Sequence, residues 1–438
     1  MTSTPSDTHL DTSLQQAGQT GQIRKALLRQ IFSGSFMQRW NDRLRPCQLF
    51  EIDKQAHKMI AASLLLSRAC QGQPEESYYA LSERIIEGAI FDYLFRTVTT
   101  DIKPQLFYRI QANEEHCAKL AAYVLRELDP ILSSLGHEFK ERFAAWHKDR
   151  DFHTKERRLL KAAHLTASYW EFKLIEPLNS FDAEMKDIDA DMRGRLNELC
   201  PYAAGLEDIL DKDTAIGRFA SFCGQLRFQV RWTTIPRIPQ TDVLGHTFFV
   251  AAASYLYSRI LGLCQARRVN NFFAGLFHDL PELLTRDIIT PVKQSSPDIS
   301  QLIHHYEQEE MQDHVYGPLL KGGETDFVRR LGYYLGQGLD SEFCERIQKE
   351  PGKVQVLKSF EELDQSADQN SCNGLDGALV KACDKLSAFL EADESIRNGI
   401  ASAYLCSARM RLKEDLSDAS GRTIPACLGM DSLMADFD

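Results

Sequence analysis

Apolar residues recur at intervals of three and four along most of the 438-residue chain. Ile60, Leu64 and Leu65 follow this spacing, and so do Leu159 and Ala163. Such a period places side chains on one face of an α-helix, whereas the strict alternation of a strand is scarce in this sequence. The periodicity therefore predicts an all-α fold.

The length predicts more than one domain, because a single hydrophobic core rarely organises more than about 250–300 residues. Changes in composition and periodicity indicate where the boundaries lie. We expect a disordered tail, a first helical domain, a connection, a second helical domain and a C-terminal tail, at residues 1–22, 23–185, 186–214, 215–412 and 413–438 respectively.

An internal repeat supports two related helical domains. The matching residues are Arg39-Trp40, Arg45, Asp53 and His57 in the first half, and Arg231-Trp232, Arg237, Asp242 and His246 in the second. Further along the chain, FDYLFRTVTTDI aligns with FHDLPELLTRDI, and KAAHL aligns with KACDK. Three matches in the same order are hard to attribute to chance, so the two halves are expected to share one fold.

Composition and charge limit the classes of partner. With 43% hydrophobic and 26% charged residues, the chain has the composition of a folded globular protein. Its formal net charge of −11 disfavours a dedicated binder of long nucleic acid, although local cations and a metal can still hold a small anion. No apolar run is long enough to span a membrane, and the first residues are polar, so we expect a cytoplasmic protein. The oligomeric state stays open, a homodimer included.

Cysteine usage agrees with that compartment. The eleven cysteines are scattered and form no CxxC pair. Reduced thiols are the expectation for such a pattern in the cytosol.

The second half carries histidines and acids on three predicted helices. His246 lies near the start of an apolar helix, His278 and Asp279 end a second one, and Asp384 lies on a third about a hundred residues later. Pro281 fits the first turn of a new helix but not a helix interior. We therefore expect a bend that aims His278 and Asp279 at one point.

This residue set suits a divalent transition metal. Two imidazoles and two carboxylates favour manganese, cobalt, iron, nickel or zinc over magnesium and calcium, which prefer oxygen ligands alone. A metal held in this way can polarise a phosphoryl oxygen and lower the pKa of a bound water. Glu282 follows His278 by four residues and Asp279 by three, which places it over the same spot for proton transfer.

These residues resemble the HD superfamily of metal-dependent phosphohydrolases, whose ligand pattern is H, then HD, then D, carried on helices. The branch of the bacterial 5′-deoxynucleotidases is the most similar, because it shares the string HDxxExxTxD followed by PVK. Here that string begins at His278. The Arg-Trp pair of that branch is also present, since Arg231-Trp232 begin fifteen residues before His246.

The resemblance implies two related HD-type helical domains and a phosphomonoesterase that acts on deoxynucleoside 5′-monophosphates. It implies that His246, His278, Asp279 and Asp384 bind the metal and that Glu282 is the catalytic acid.

The resemblance also implies a nucleotide pocket. Arg231, Trp232 and Asp287 would line this pocket and help to select a deoxyribose. The segment from Gly322 to Asp376, which contains the loop-like run SADQNSCNGLDG, is longer than expected of the compact nucleotidases and is interpreted as an insertion.

The first half lacks the same ligands. In the alignment, the counterparts of His246, His278, Asp279, Glu282 and Asp384 are His57, Asp92, Tyr93, Arg96 and His164. Tyrosine and arginine cannot replace a ligating and a proton-handling carboxylate, so we expect a degenerate site with a structural or regulatory role.

Two alternatives to the nucleotidase stay open. One is an HD hydrolase of nucleoside triphosphates or of a signalling nucleotide, for which the insertion would build a different pocket. The other is a regulatory nucleotide-binding protein, which the degenerate first half suggests. The intact Glu282 argues against pure binding in the second half, because a binding site needs no proton-handling group.

Overall fold

Helices form nearly all of the regular structure. The computed structural model describes residues 21–149, 151–286, 296–417 and 426–438. Within these ranges the chain is helical apart from one short antiparallel hairpin. The predicted all-α class is confirmed. None of the described helices is both long and apolar enough to cross a membrane.

Helix α2 is the centre of the first half. The helices there are α1 (Lys25–Phe32), α2 (Glu51–Ala69), α3 (Glu75–Thr99), α4 (Pro104–Ala112), α5 (Glu114–Leu132), α6 (His137–Lys148), α7 (Thr154–Ile175), α8 (Glu184–Leu199) and α9 (Leu206–Leu210). Because α2 packs against both α3 and α7, even its charged residues are enclosed. Glu51, Lys54 and Lys58 are each only 1% exposed.

Helix α11 has the same central place in the second half, where it packs against α12 and α18. The elements there are α10 (Ala215–Gly224), α11 (Val243–Ile260), α12 (Gln265–Phe277), α13 (Glu282–Thr285), α14 (Pro297–Met311), α15 (Gly317–Lys321), α16 (Thr325–Tyr334), β1 (Arg346–Glu350), β2 (Lys353–Val356), α17 (Phe360–Ala367), α18 (Gly377–Arg397), α19 (Ala403–Ser417) and α20 (Met430–Ala435). These helices bring distant parts of the sequence to one end of α11.

The two halves share one hydrophobic core. Helix α2 packs on α11 and α3 packs on α12, so the largest apolar cluster runs without a break from Ile23 to Phe437. The expected division into two separately packed domains is therefore not confirmed. Helices α2 and α11 bury apolar residues against each other, so the apolar contacts of the two halves form one cluster.

The backbone turn that precedes α2 is nevertheless repeated before α11. The amide of Arg39 donates to the carbonyl of Leu49 at 2.8 Å, and the amide of Arg231 donates to the carbonyl of Thr241 at 3.0 Å. In each half the central helix begins two residues after that carbonyl. The internal repeat seen in the sequence thus corresponds to a repeated turn that leads into α2 and α11.

This repeated turn corrects one pairing of the sequence alignment. Counted from the starts of α2 and α11, the residue that matches His246 is Lys54, and His57 lies three residues further along α2. The alignment placed His57 opposite His246 because two histidines match better than a lysine and a histidine. Only the helix starts fix the correct register.

The segments expected as a connection and as a C-terminal tail contain helices in their described parts. The connection expected at residues 186–214 is largely α8 and α9, and α8 packs against α7. The described part of the expected C-terminal tail contains α20, in which Leu433 and Met434 are buried. Phe437 then stacks edge-on against Phe389 with ring centroids 5.0 Å apart. The connection was expected because that stretch is polar and acidic, whereas a few apolar residues suffice to attach both segments to the core.

The insertion between Gly322 and Asp376 is attached through buried arginines. Arg346 donates to the carbonyls of Tyr333 and Tyr334 at 3.0 Å each. Arg267 on α12 donates to both carboxylate oxygens of Asp376, at 3.1 and 2.6 Å. The insertion is therefore joined to α12, which ends immediately before His278, and to the start of the helix that carries Asp384.

Candidate metal centre

Three helices deliver the predicted ligands to one place. His246 lies in the first turn of α11, His278 and Asp279 directly follow the end of α12, and Asp384 lies in the second turn of α18. Helix α12 stops at Phe277 and α13 starts at Glu282, so the bend predicted at the proline between them is confirmed. The bend turns the chain immediately after the two adjacent ligands.

The ligand atoms are close together. Nitrogen atoms of His246 and His278 and a carboxylate oxygen of Asp384 all lie within 4.8 Å of one another. The Oδ2 atom of Asp279 is 3.5 Å from Nε2 of His246, and its Oδ1 atom is 3.2 Å from Nε2 of His278. All four residues that the sequence predicted as ligands therefore face one small space.

A contact at Nδ1 orients each of the two imidazoles. Nδ1 of His246 is 2.9 Å from the hydroxyl of Ser387 on α18, and Nδ1 of His278 is 2.9 Å from the carbonyl of Gly275. These contacts leave Nε2 of each ring directed towards the acids. Histidines that bind metals are commonly fixed in this way, because the bond at one nitrogen sets the tautomer and the direction of the other.

The buried polar atoms that lack a hydrogen-bond partner suit a metal site. Among the described residues, Nε2 of His278 and Oδ2 of Asp279 are buried and have no hydrogen-bond partner. A buried polar atom without a hydrogen-bond partner destabilises the folded protein, so each of these two atoms calls for an explanation. A mixed nitrogen and oxygen donor set is the kind that divalent transition metals prefer.

The electrostatics favour a charged Asp384. Its partial burial would raise the pKa of this carboxyl, but the contact with His246, together with nearby His278 and Arg231, lowers it well below the usual range. Oδ1 of Asp384 lies 3.1 Å from Nε2 of His246. The carboxylate is thus in the ionised form that metal ligation requires.

The Arg231-Trp232 pair lies at the edge of this centre. Nη1 of Arg231 is 3.6 Å from Oδ2 of Asp279, and its Nε donates to Glu391 at 3.1 Å. The indole N–H of Trp232 donates to the same Glu391 carboxylate at 2.8 Å. The guanidinium carbon of Arg237 lies 5.4 Å from the indole centroid and covers part of that ring.

Glu391 is an organising residue that the sequence did not reveal. Besides Arg231 and Trp232, it accepts a hydrogen bond from the hydroxyl of Thr241 at 2.7 Å. Burial would raise its pKa, but Arg231, Arg237 and His246 lower the pKa to about 2, so the group is ionised. The repeat offered a signal, because Glu391 follows Asp384 by seven residues and an acid follows the first-half counterpart of Asp384 by the same interval.

Two further residues were missed. Ser387 lies one turn after Asp384, where serine on a helix carries no distinctive signal, and it orients His246. Phe343 comes from the insertion, and its ring centroid is 6.1 Å from that of His278. The insertion thus adds an apolar side chain beside the candidate metal centre, which no local sequence pattern could indicate.

Of the two remaining predicted site residues, Glu282 lies among the described residues and Asp287 does not. Glu282 starts α13 and is 8% exposed, and its carbonyl accepts a hydrogen bond from Gln229 at 2.9 Å. It follows the bend after His278 and Asp279, and its expected role in proton transfer stays a prediction. Asp287 lies outside the described residues, so its expected pocket role stays a prediction.

The first half has different chemistry at the matching positions. Lys54 occupies the place of His246, and its Nζ lies 2.5 Å from Nδ1 of His164. His57 contacts the carbonyl of Ala220 at 2.9 Å instead of facing His164. Burial and the charge of Arg227 lower the pKa of His57 to about 3, so it is a neutral interior side chain.

Comparisons with known proteins agree with this centre. A family model described as an HD domain matches residues 223–412, which include every candidate ligand. The 4′-phosphooxetanocin A phosphatase of Priestia megaterium is 31% identical over 75 residues, which represent 16% of this chain. The match spans 39% of the length of that relative. The arrangement of histidines and aspartates and the family match lead to the same conclusion: residues 223–412 match the model of an HD domain, and the four candidate ligands lie within them in the order H, HD and D.

Proposed function

We propose that the second half is a metal-dependent phosphomonoesterase that acts on (deoxy)nucleoside 5′-monophosphates. The observation that carries this proposal is the convergence of His246, His278 and Asp384 within 4.8 Å, with Asp279 against both imidazoles. A metal bound by these residues would polarise a phosphoryl oxygen and activate a water for attack on phosphorus.

Glu282 is the residue available for proton transfer. It is buried at the start of α13, one turn after the two adjacent ligands. Its charge acts on Arg231 together with those of Glu391, Asp279 and Asp384, and these acids outweigh burial and raise the pKa of the guanidinium. A carboxylate in this position can take a proton from the attacking water, and the carboxylic acid so formed can give that proton to the leaving oxygen.

Arg231 is the residue proposed to hold the phosphate. Glu391 fixes its Nε, while its Nη1 lies 3.6 Å from Asp279 at the edge of the centre. A guanidinium fixed on one side presents its remaining donors in a defined direction, which suits a phosphoryl group with several acceptor oxygens. Arg231 would therefore stabilise the charge that develops on the transferred phosphoryl group.

Trp232 and Phe343 are proposed to contact the nucleoside. Trp232 is half-buried, and the bond from its indole N–H to Glu391 fixes the ring beside Arg231. Phe343 is half-buried against His278. An aromatic wall against the sugar would crowd a 2′-hydroxyl, which supports a preference for deoxyribose. The name of the bacterial relative, a phosphatase, supports phosphomonoester hydrolysis.

A phosphate-release screen tests this function. The full chain is stripped of metal, reloaded in turn with manganese, cobalt, nickel, iron or zinc, and assayed on deoxy- and ribonucleoside mono- and triphosphates. We expect release of inorganic phosphate from monophosphates with at least one metal, and none from the stripped protein. Asp279→Ala serves as the control for trace phosphatases, because it removes a ligand without altering the purification.

Two outcomes would change the proposal. Release of pyrophosphate or triphosphate from nucleoside triphosphates, without action on monophosphates, would discard the nucleotidase and retain metal-dependent phosphohydrolysis. Equal phosphate release by the Asp279→Ala protein would place the activity outside this centre.

A further inference from the structure

We propose that the first half carries a metal-free site for a phosphate group, in which Lys54 and Lys58 supply the positive charge. This site is separate from the metal centre and does not depend on hydrolysis there. The two lysines are one turn apart on α2, and each is 1% exposed.

Lys58 is the observation that points to a ligand. A lysine this deeply enclosed is rare unless an acid pairs with it. Among the described residues, however, no hydrogen bond or ion pair is made by its ammonium group. The nearest acids, Asp92 and Glu51, are already engaged by Trp146 at 2.8 Å and by Arg39 at 2.6 Å.

Lys54 extends the same positive region. Its ammonium donates to Nδ1 of His164 at 2.5 Å, which is a neutral partner, and lies 3.6 Å from Glu51. Burial lowers the pKa of Lys54 to about 7 and also lowers the pKa of Lys58. Cations behave in this way when their surroundings lack an adequate counter-charge, and a bound anion would provide it.

The positions of Lys54 and His164 correspond to positions of candidate metal ligands in the second half. Lys54 matches His246 and His164 matches Asp384, so the Lys54 ammonium group lies where the other half gathers its candidate metal ligands, and Lys58 follows it one turn later on α2. In the second half a divalent cation would attract the phosphoryl oxygens, whereas here two covalently attached charges replace it. The neighbouring hydrogen bonds are also the same in both halves. Arg39 and Trp40 both donate to Glu171, at 2.8 and 3.0 Å, as Arg231 and Trp232 donate to Glu391.

The same replacements argue against hydrolysis at this site. Tyr93 stands in place of Asp279, and its hydroxyl donates to the carbonyl of Ile31. Arg96 stands in place of Glu282 and lies 3.7 Å from Glu51. The acids nearest Lys58, Asp92 and Glu51, are held by Trp146 and Arg39, and no group of possible metal ligands is found here among the described residues. The site would therefore bind a phosphate and release it unchanged. Its rim is accessible, because His164 and Asp92 are only partly buried.

Calorimetric titration with inorganic phosphate tests the proposal. The full chain carries Asp279→Ala and is treated with chelator, so that the metal centre cannot hold the anion through a metal. We expect about one phosphate per chain, and an affinity weakened about tenfold or more by Lys58→Met or by Lys54→Met, since a hydrogen bond to a charged group contributes about 1.5–3 kcal/mol. Deoxyadenosine monophosphate is titrated in parallel, and tighter binding than that of phosphate would identify a nucleotide as the source of the group.

The controls separate this site from the metal centre and from general charge effects. Lys161→Met removes an exposed lysine one turn before His164 and should leave the affinity unchanged. Circular dichroism establishes that each variant is folded, and Lys54→Met provides the test if Lys58→Met is not. Absence of binding, equal weakening by Lys161→Met, or loss of binding through Arg231→Ala alone would overturn the proposal. None of these results bears on phosphate release by the metal-loaded second half.

Discussion

Trp232 donates its indole N–H to Oε2 of Glu391 at 2.8 Å, a bond that joins the turn before α11 to the middle of α18. The first half repeats the arrangement, with Trp40 donating to Oε2 of Glu171 at 3.0 Å. Both tryptophans have a positive φ, 57° and 55°, which few residues other than glycine adopt. The repeated bond therefore supports an unfavourable backbone conformation in each half.

Replacing Glu391 with Gln should weaken substrate handling more than metal binding. The amide has one acceptor oxygen in place of two and no charge, so it cannot hold both Arg231 and Trp232 as the carboxylate does. We expect kcat/KM to fall by about tenfold or more, as for loss of a charge-assisted hydrogen bond. Steady-state kinetics on a deoxynucleoside monophosphate measure this effect, and metal content should stay near that of the unaltered protein. An unchanged kcat/KM would contradict the positioning role.

The matched change in the first half, Glu171→Gln, should reduce stability and leave turnover nearly intact. Glu171 is fully buried and pairs with Arg227 at 2.8 Å, and the side chain of Arg227 is also 0% exposed. Breaking a buried pair by removing one charge costs about 3–5 kcal/mol, and the hydrogen bond that Gln retains would make the loss smaller. Chemical denaturation measures the free energy of unfolding. A large loss of turnover in the folded variant would show that the first half takes part in catalysis.

Asp279→Ala should empty the metal centre. The carboxylate lies within 3.5 Å of both imidazoles, so its loss removes a ligand and the charge that balances the metal. Inductively coupled plasma mass spectrometry should find about one metal per chain in the unaltered protein and much less in the variant. His305→Ala, in an exposed ion pair with Glu309, is the matched control and should retain the metal. Equal metal content in both variants would refute the ligand assignment.

Glu282→Gln should abolish most turnover while the metal stays bound. The amide fills the same space but cannot accept or donate the proton, and proton transfer by a positioned side chain contributes about 10²–10⁴-fold to the rate. Turnover and metal content are measured on the same sample. Loss of the metal would reassign Glu282 as a ligand, and full activity would remove it from the mechanism.

Glu345 should make stability fall as the pH rises. Burial and the charge of Asp376 raise the pKa of Glu345 to about 8 in the folded protein, above the ordinary value of a glutamate. The folded state then binds one more proton than the unfolded state over that interval, so stability decreases from about pH 4.5 to about pH 8 and levels off above it. Thermal unfolding between pH 5 and pH 9 should show a smaller decrease for Glu345→Gln. Glu350→Gln, in an exposed pair with Lys353, should leave the slope unchanged.

Much of the metal centre was predictable because its signals are local. The apolar period defines α11 and α12, and Pro281 requires the bend that follows His278 and Asp279. Asp384 needed no structural information either, since its residue type and place in the motif completed the ligand set. Residue type and helix geometry together were sufficient, because the four candidate ligands lie in or directly after three helices that the apolar period predicts.

The sequence by itself determined the helical class, the four candidate ligands and the presence of a repeat, because each depends on residue type and spacing along a helix. Only the tertiary structure decided the register of that repeat, which puts Lys54 and not His57 opposite His246. It also decided that Glu391 joins Arg231 to Trp232, and that both halves share one core. Contacts between helices that are far apart in the chain follow from how whole faces pack, and packing leaves no short-range pattern in the sequence.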